Sequence, residues 1–467
     1  MKINTKRVTK DFEEFISSLE KPNEPHLISF AFPTENYPIQ YFINNLTQLS
    51  DDIFFFQSPN NIHSMVSINS VFEFKNDNEL NPVLVNDEFA RWKNNLIDNW
   101  DEYDLSSLPI ISAAFKFDPL KTSEQWNDFP AIRIYVPEFI FFKQNEKYFC
   151  CYNFIRDNKT NLKQIKNSFE TKLKALITAF RNTIKPNESL AVDSTSEVEK
   201  SKYWKLITDQ ALQVLDTNNV EKLVISRPYE FSVNTDLDWS SLLTNLYERF
   251  PDCYLFFIRK KNSVFFGSSP EMFLKVSGKN AEVESVAGSA PRSEIFETDR
   301  VLEKNLKASD KNHREHQFVS EFISEVLKKY SYSIRITEEK QVKKLDNIQH
   351  LITRISAELK KGNLFELIAS LFPTPAVCGV PKSSAMSFIR KLESHDRGLY
   401  SGLAGWFDFN DNCELAVSIR SALVRNNQVT AFAGAGLVKN SNPDEEYQET
   451  KLKLDPILSL FNFKTQK

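Results

Sequence analysis

The chain has 467 residues, with 58 Lys+Arg against 62 Asp+Glu for a net charge of -4, and 41% of its residues are hydrophobic. That length exceeds a usual single domain and predicts either two domains or one large, multi-layered unit. The nearly balanced charge leaves no electrostatic footprint for nucleic acid or an anionic membrane surface, so small-molecule chemistry is the starting expectation.

The opening residues, MKINTKRVTKDFEEFISSLE, alternate charge with short apolar groups, and no later apolar run reaches the roughly 18 residues of a membrane span. The expectation is a cytoplasmic protein. LISFAF (27–32), DIFFFQ (52–57) and FIFFKQ (139–144) are short, aromatic runs with polar flanks, which predict strands and a sheet-rich first half. Leu162, Ile165, Phe169, Leu173, Leu176 and Phe180 recur at three or four residues and predict a helix over 162–182. The stretch 183–200, with Pro186, Asn187 and the run DSTSEVEKS, reads as an exposed connection and the main boundary, dividing 1–190 from 200–461. The five cysteines are odd in number, scattered and without a CxxC pair, which suggests neither a disulfide framework nor zinc.

A second helix, marked by Trp204, Ile207, Ala211 and Leu215, leads through a turn at DTNN to the strand VEKLVISR. Even positions there share a face, so Lys222 points the same way as Val220, Val224 and Ser226. Such a lysine either guards a sheet edge against aggregation or is desolvated, its pKa lowered from about 10.4, and able to act as a base. In the amphipathic helix predicted over 311–329, Glu315 stands over Val319, Phe322 and Val326. A carboxylate on that stripe requires either a salt bridge to a lysine or a bound cation. His313 and His316 lack a third ligand at zinc spacing.

All ten glycines fall between Gly267 and Gly436. Gly434 and Gly436, in AFAGAGLVKN, do not match GxGxxG; they either admit an anionic ligand close to the backbone or make a turn. SNPDEEYQETKLKL then opens a helix, with Asn442 as N-cap, Pro443 at the first position and Glu445 at capping-box spacing. Glu446 and Glu449 follow one turn apart, as complements to the helix dipole or as oxygen donors of the kind Mg²⁺ prefers. Strands and helices mix without regular βαβ alternation, which favours an α+β fold.

Joined in order, EKLVISR (221–227), FFGSSPEMFLKV (265–276), SVAGSAPR (285–292), SDKNHREHQFV (309–319), FPTPAVCGVPKSSA (372–385), LYSGLAGW (399–406), AVSIRSALV (416–424) and AFAGAGLVKNSNPDEEYQETKLK (431–453) resemble the chorismate-utilising enzymes. The resemblance spans about residues 200–461. It implies one large α+β unit of two antiparallel sheets packed face to face with helices outside, residues 1–190 completing the sheets. It also implies chorismate as substrate, Mg²⁺ as cofactor, no nucleic-acid or membrane partner, and a monomer, because the family's active site lies within one chain.

Position by position, Lys222 matches the family's base that activates water for attack at C2 of the ring, and Glu271 the acid that protonates the departing C4 hydroxyl. Glu315 and Glu449 match the direct metal ligands, with Glu446 in support. Tyr400, Arg420 and the backbone of Gly434 match contacts to the enolpyruvyl carboxylate, while Ser289 and Ala376 fall in substrate-side motifs. Lysine rather than Gln at 222, and alanine rather than Thr at 376, imply water as nucleophile and isochorismate as product, the activity of an isochorismate synthase. A salicylate synthase, an aminating anthranilate-type synthase and a catalytically silent chorismate-binding protein are the alternatives. Phe372, Ala290 and Asn312 depart from the family's usual His, Arg and acidic residue.

Overall fold

Period-2 geometry explains why the sheet at the centre of the molecule is buried on both faces. In the strand Asp52–Gln57, Phe54 and Phe56 enter one apolar cluster while Ile53 and Phe55 enter another. Its neighbour Tyr254–Lys260 repeats the division, with Phe256 and Ile258 on one side and Leu255 and Phe257 on the other. The structure, a computed structural model, describes residues 3–35, 43–105, 111–144, 146–180, 190–193, 197–217, 220–234 and 236–463.

One layer runs, in hydrogen-bonded order, through Leu190–Asp193, Lys222–Val233, Gln428–Val438, Ser421–Arg425, Ser263–Ser269, Tyr254–Lys260, Asp52–Gln57 and Ser64–Asn76. The long strands Ser64–Asn76 and Ile132–Gln144 pair along most of their length, with a register shift between Ser70 and Phe72. Beyond that shift Ile132–Gln144 also pairs with Ile111–Phe115. From there a second layer continues through Leu403–Phe407, Cys413–Val417, Met272–Ser277, Asn280–Pro291, Ile348–Leu359 and Ser331–Lys344. The ladders are antiparallel apart from two short parallel pairings, Leu27–Ser29 with 96–98 and 462–463 with 190–191.

Phe54, Phe256 and Phe432 of the first layer share a core cluster with Phe273, Leu415 and Ile355 of the second. The outer face of the first layer is covered by the helices Thr5–Ser18, Leu162–Ala179 and Trp239–Arg249, which contribute Phe12, Phe169 and Leu246 to the other cluster. Each such buried side chain contributes about 1.5–3 kcal/mol. The mixed, largely antiparallel architecture is the expected α+β fold.

Three local expectations change. The stretch 183–200 contains the strand Leu190–Asp193, and a helix begins at Glu197; residues 183–189 and 194–196 lie outside the described residues, as do Asn218 and Asn219 of the DTNN turn. Four strand residues are too few for periodicity to register. The lysine strand runs from Lys222 to Val233, and Lys222 is flanked by Val438 on one side and Val380 on the other. It is therefore interior, and the edge-guarding role is excluded. Gly434 and Gly436 lie within the strand Gln428–Val438 and make no turn. Strands from either side of residue 190 pair directly, Asp52–Gln57 with Tyr254–Lys260 and Ile111–Phe115 with Leu403–Phe407. Among the described residues no helix is long and apolar enough to cross a membrane.

Candidate active site

The ladder between Lys222–Val233 and Gln428–Val438 decides which peptide groups are left for a ligand. Gly434 stands opposite Ser226 and Gly436 opposite Val224. Ser226 N donates to Glu393 Oε1 at 2.7 Å, and Val224 N to the Cys378 carbonyl at 2.8 Å, so both peptides turn away from the shared ladder. In an antiparallel pair of that kind the opposite residue turns away as well. The peptide groups of Gly434 and Gly436 thus face the other side, where the Gly434 carbonyl accepts from Lys453 Nζ at 2.9 Å. A Cβ on Gly436 would sit 3.0 Å from both Glu315 Oε2 and Lys222 Cε. Glycine clears the space in which Lys222 Nζ and Glu315 Oε2 approach to 4.0 Å.

Helix starts and strand ends aim the charged groups. Ser309 caps the helix Asp310–Tyr330, whose second turn carries Glu315, and Asn442 caps Pro443–Leu458, which carries Glu446 and Glu449. Glu271 sits in the two-residue break between Ser263–Ser269 and Met272–Ser277. Lys222 and Glu271 are 2% and 5% exposed, so each is effectively dry. Burial depresses the Lys222 ammonium, with Glu315 pulling the other way. Burial, reinforced by the like charge of Glu284, raises Glu271 to about 8. Burial also raises Glu315, opposed by Lys222. Glu449 is half-buried, and Lys453 at 2.6 Å outweighs the cost of its desolvation and holds it below the usual carboxylate range. Burial and the charge of Glu449 raise Glu446, whose carboxylate is ion-paired with Lys311.

The opposite wall carries the guanidinium of Arg420. Arg420 has φ 53° and Ser401 φ 60°, left-handed conformations that persist only where the surroundings enforce them. Arg420 Nη2 lies 3.2 Å from His350 Nε2. A guanidinium only donates, so Nε2 accepts and the His350 proton is on Nδ1. That proton faces the Gly288 carbonyl at 3.3 Å and Ser289 Oγ at 3.1 Å. Ser289 Oγ in turn donates to Glu449 Oε1 at 3.3 Å. Burial and the Arg420 charge push His350 down to about 3, which keeps the ring neutral. Arg420 Nη1 is buried and has no hydrogen-bond partner among the described residues. Tyr400 stacks on Phe432 at 5.2 Å, and its hydroxyl lies 3.1 Å from where a Cβ on Gly434 would be.

Lys222, Glu271, Ser289, Glu315, Ala376, Tyr400, Arg420, Gly434 and Glu449 all line this one cavity. Glu446 does not; it is turned to Lys311. Sequence reading missed His350 and Lys453. Lys453 was detectable as the i+4 partner of Glu449 on one helix face, whereas His350 joins the site only through its pairing opposite Ser289. Among the described residues no three His, Cys, Asp or Glu side chains converge as a metal site. The cavity's two metal-facing candidates, Glu315 and Glu449, are hard oxygen donors, and Mg²⁺ commonly takes one or two protein carboxylates together with water and ligand oxygens. The donor set fits that ion.

A family model described as chorismate binding enzyme matches residues 14–462. The chain is 27% identical over 459 residues to an isochorismate synthase of Bacillus subtilis, covering 96% of each chain. It is 30% identical to the salicylate biosynthesis isochorismate synthase of Pseudomonas aeruginosa over 74% of this chain and 73% of that one. Among solved structures, the menaquinone-specific isochorismate synthase from Escherichia coli superposes with a TM-score of 0.79 at 21% identity, covering 98% of this chain and 99% of the other, a likeness of fold.

Proposed function

This chain belongs to the chorismate-binding enzymes, and from that premise we propose that it is an isochorismate synthase, converting chorismate reversibly to isochorismate. One observation carries the reading: Lys222 and Glu271 share a buried cavity in which the amine is driven toward its neutral form and the carboxyl is raised to about 8. General acid–base catalysis needs that separation, a proton acceptor and a proton donor available together. In the reaction, Lys222 takes a proton from water as the water oxygen bonds to C2. The ring double bonds shift, the C4–O bond breaks, and Glu271 gives its proton to the departing hydroxyl. One water is consumed and one released, and the proton gained by Lys222 balances the one lost by Glu271.

Arg420 Nη1, the Tyr400 hydroxyl and the Gly434 N–H would hold the enolpyruvyl carboxylate, the guanidinium edge supplying donors in a plane that matches it. Glu315 and Glu449 would hold Mg²⁺, which when bound grips the ring carboxylate and offsets its charge. Glu446, paired with Lys311, supports that helix turn from outside the cavity. His350 and Ser289 fix the guanidinium against Glu449 through the hydrogen bonds described. The protein so read is a cytoplasmic monomer in which residues 1–190 and 200–461 form one unit, a reading supported by the direct pairing of strands from the two parts.

The test is incubation of purified protein with chorismate and Mg²⁺ and chromatography of the products, beside Lys222→Ala. Isochorismate alone, lost in the variant, is expected. Salicylate with pyruvate would make the protein a salicylate synthase, an aminated product formed with ammonia would make it an anthranilate-type enzyme, and no product would leave a chorismate-binding protein without turnover.

A further inference from the structure

A second cavity, of about 190 Å³, lies between the strand Ile111–Phe115 with its following loop and the helices Leu364–Leu371 and Lys382–Leu392. Its walls are mainly apolar, with Phe117, Ile368, Phe372 and Met386 among them. Cationic groups interrupt this lining. Lys116 is 8% exposed, yet its ammonium makes one hydrogen bond, to the Trp126 carbonyl at 3.3 Å, and no ion pair among the described residues. An ammonium has three donors; the carboxylates of Asp396 and Asp77 act on this one from beyond ion-pair contact, and neither lines the cavity. Lys382 is different: it is already held by the carbonyls of Ala369, Ser370 and Phe372. Arg390, also at the cavity, is neutralised by Asp118 at 2.7 and 2.8 Å. The only carboxylate lining the cavity, Glu79, is exposed and not paired with Lys116. Among the cations lining the cavity, Lys116 is therefore the one with donors not taken up by direct hydrogen bonds or an ion pair among the described residues.

The position of the cavity matters as much as its chemistry. Phe372 and Pro373 line it, while Ala376 and Val377, three and four residues after Pro373, line the active site. On the other wall Phe117 N donates to the Gly398 carbonyl at 2.9 Å, two residues before Tyr400. Pockets for drug-sized ligands run about 300–1,000 Å³, so this one suits a single ring. We propose that it is a second ligand site, taking a small single-ring carboxylate whose ring fills the apolar walls and whose carboxylate pairs with Lys116. Its occupancy is transmitted to the active site through residues 372–377.

The test is calorimetric titration of the full chain with benzoate, and with benzyl alcohol as the uncharged counterpart. One benzoate per chain is expected. Affinity should fall at least tenfold for benzyl alcohol, for Lys116→Met, and for Met386→Trp, which fills the opposite wall. Arg420→Met, altered only in the active site, should bind benzoate like the unmodified protein. Benzoate should also change kcat or KM for chorismate in the unmodified protein and not in Met386→Trp. Absence of binding up to about 10 mM, or binding lost in Arg420→Met and kept in both cavity variants, would overturn the site; unchanged kinetics at saturation would overturn the transmission. Binding is read without turnover, so failure here is separable from failure of the isochorismate synthase reading.

Discussion

Replacing Arg420 by Met separates a residue that holds the fold from one held ready for a ligand. Arg420 is 4% exposed, its Nη1 has no hydrogen-bond partner among the described residues and its Nη2 contacts His350 at 3.2 Å. Relieving a buried unsatisfied donor contributes about 1–3 kcal/mol, and orphaning the buried His350 Nε2 costs about the same. The net expectation is a change of no more than about 2 kcal/mol in either direction. Unfolding entropy near 2.1 cal/mol/K per residue makes 1 kcal/mol worth about 1 °C for 467 residues. Calorimetry should therefore show a Tm within about 2 °C of the unmodified protein. Activity should respond far more strongly. Two charge-assisted donors at about 1.5–3 kcal/mol each correspond to a loss in kcat/KM for chorismate of about 100-fold or more. A Tm lowered by more than about 3 °C, or kcat/KM within about tenfold of the unmodified enzyme, would refute the assignment of Arg420 as the carboxylate's receptor.

The proposed acid role needs Glu271 protonated, and its pKa is raised to about 8, so the rate should fall as pH rises through about 8. A pH–rate profile without that descending limb would remove Glu271 from the acid role. Gly436→Ala should fold, since its backbone is ordinary strand, but its methyl would press on Lys222 Cε and Glu315 Oε2 at 3.0 Å. Displacement of a catalytic group by a fraction of an ångström costs about tenfold or more in kcat; steady-state kinetics with an unchanged KM and kcat would show that the pair tolerates it. Chelation with EDTA should abolish turnover, and added Mg²⁺ should restore it; full activity in excess chelator would remove Glu315 and Glu449 from a metal role.

Much of the site was legible because local rules mark it. The cap at Asn442 followed by Pro443 places a helix, and helical spacing then puts Glu446 and Glu449 on one side. Amphipathic periodicity likewise fixed the helix around Glu315, described as Asp310–Tyr330. Alternation marked Lys222 as inward-facing, and ordered motifs, absent before residue 200, joined these groups to Glu271 and Arg420. What local pattern determined was therefore element type, the face of each element, and the residue types fit for acid–base and carboxylate chemistry.

Tertiary structure decided the rest, because it depends on which strand lies beside which. Only the register of Gly434 against Ser226 turns the glycine peptide toward the cavity, and only Val438 and Val380 on either side make Lys222 interior. His350 enters through a pairing across more than sixty residues, opposite Ser289. The helix that carries Glu446 does not by itself reveal that Lys311 claims it while Glu449 faces the cavity. Nor does any periodicity foretell Lys116 in its second cavity, since that depends on the packing of elements some 250 residues apart in sequence. Side-chain direction along one element is set within a few residues, whereas the electrostatic environment that separates a base from an acid is set by everything packed around them.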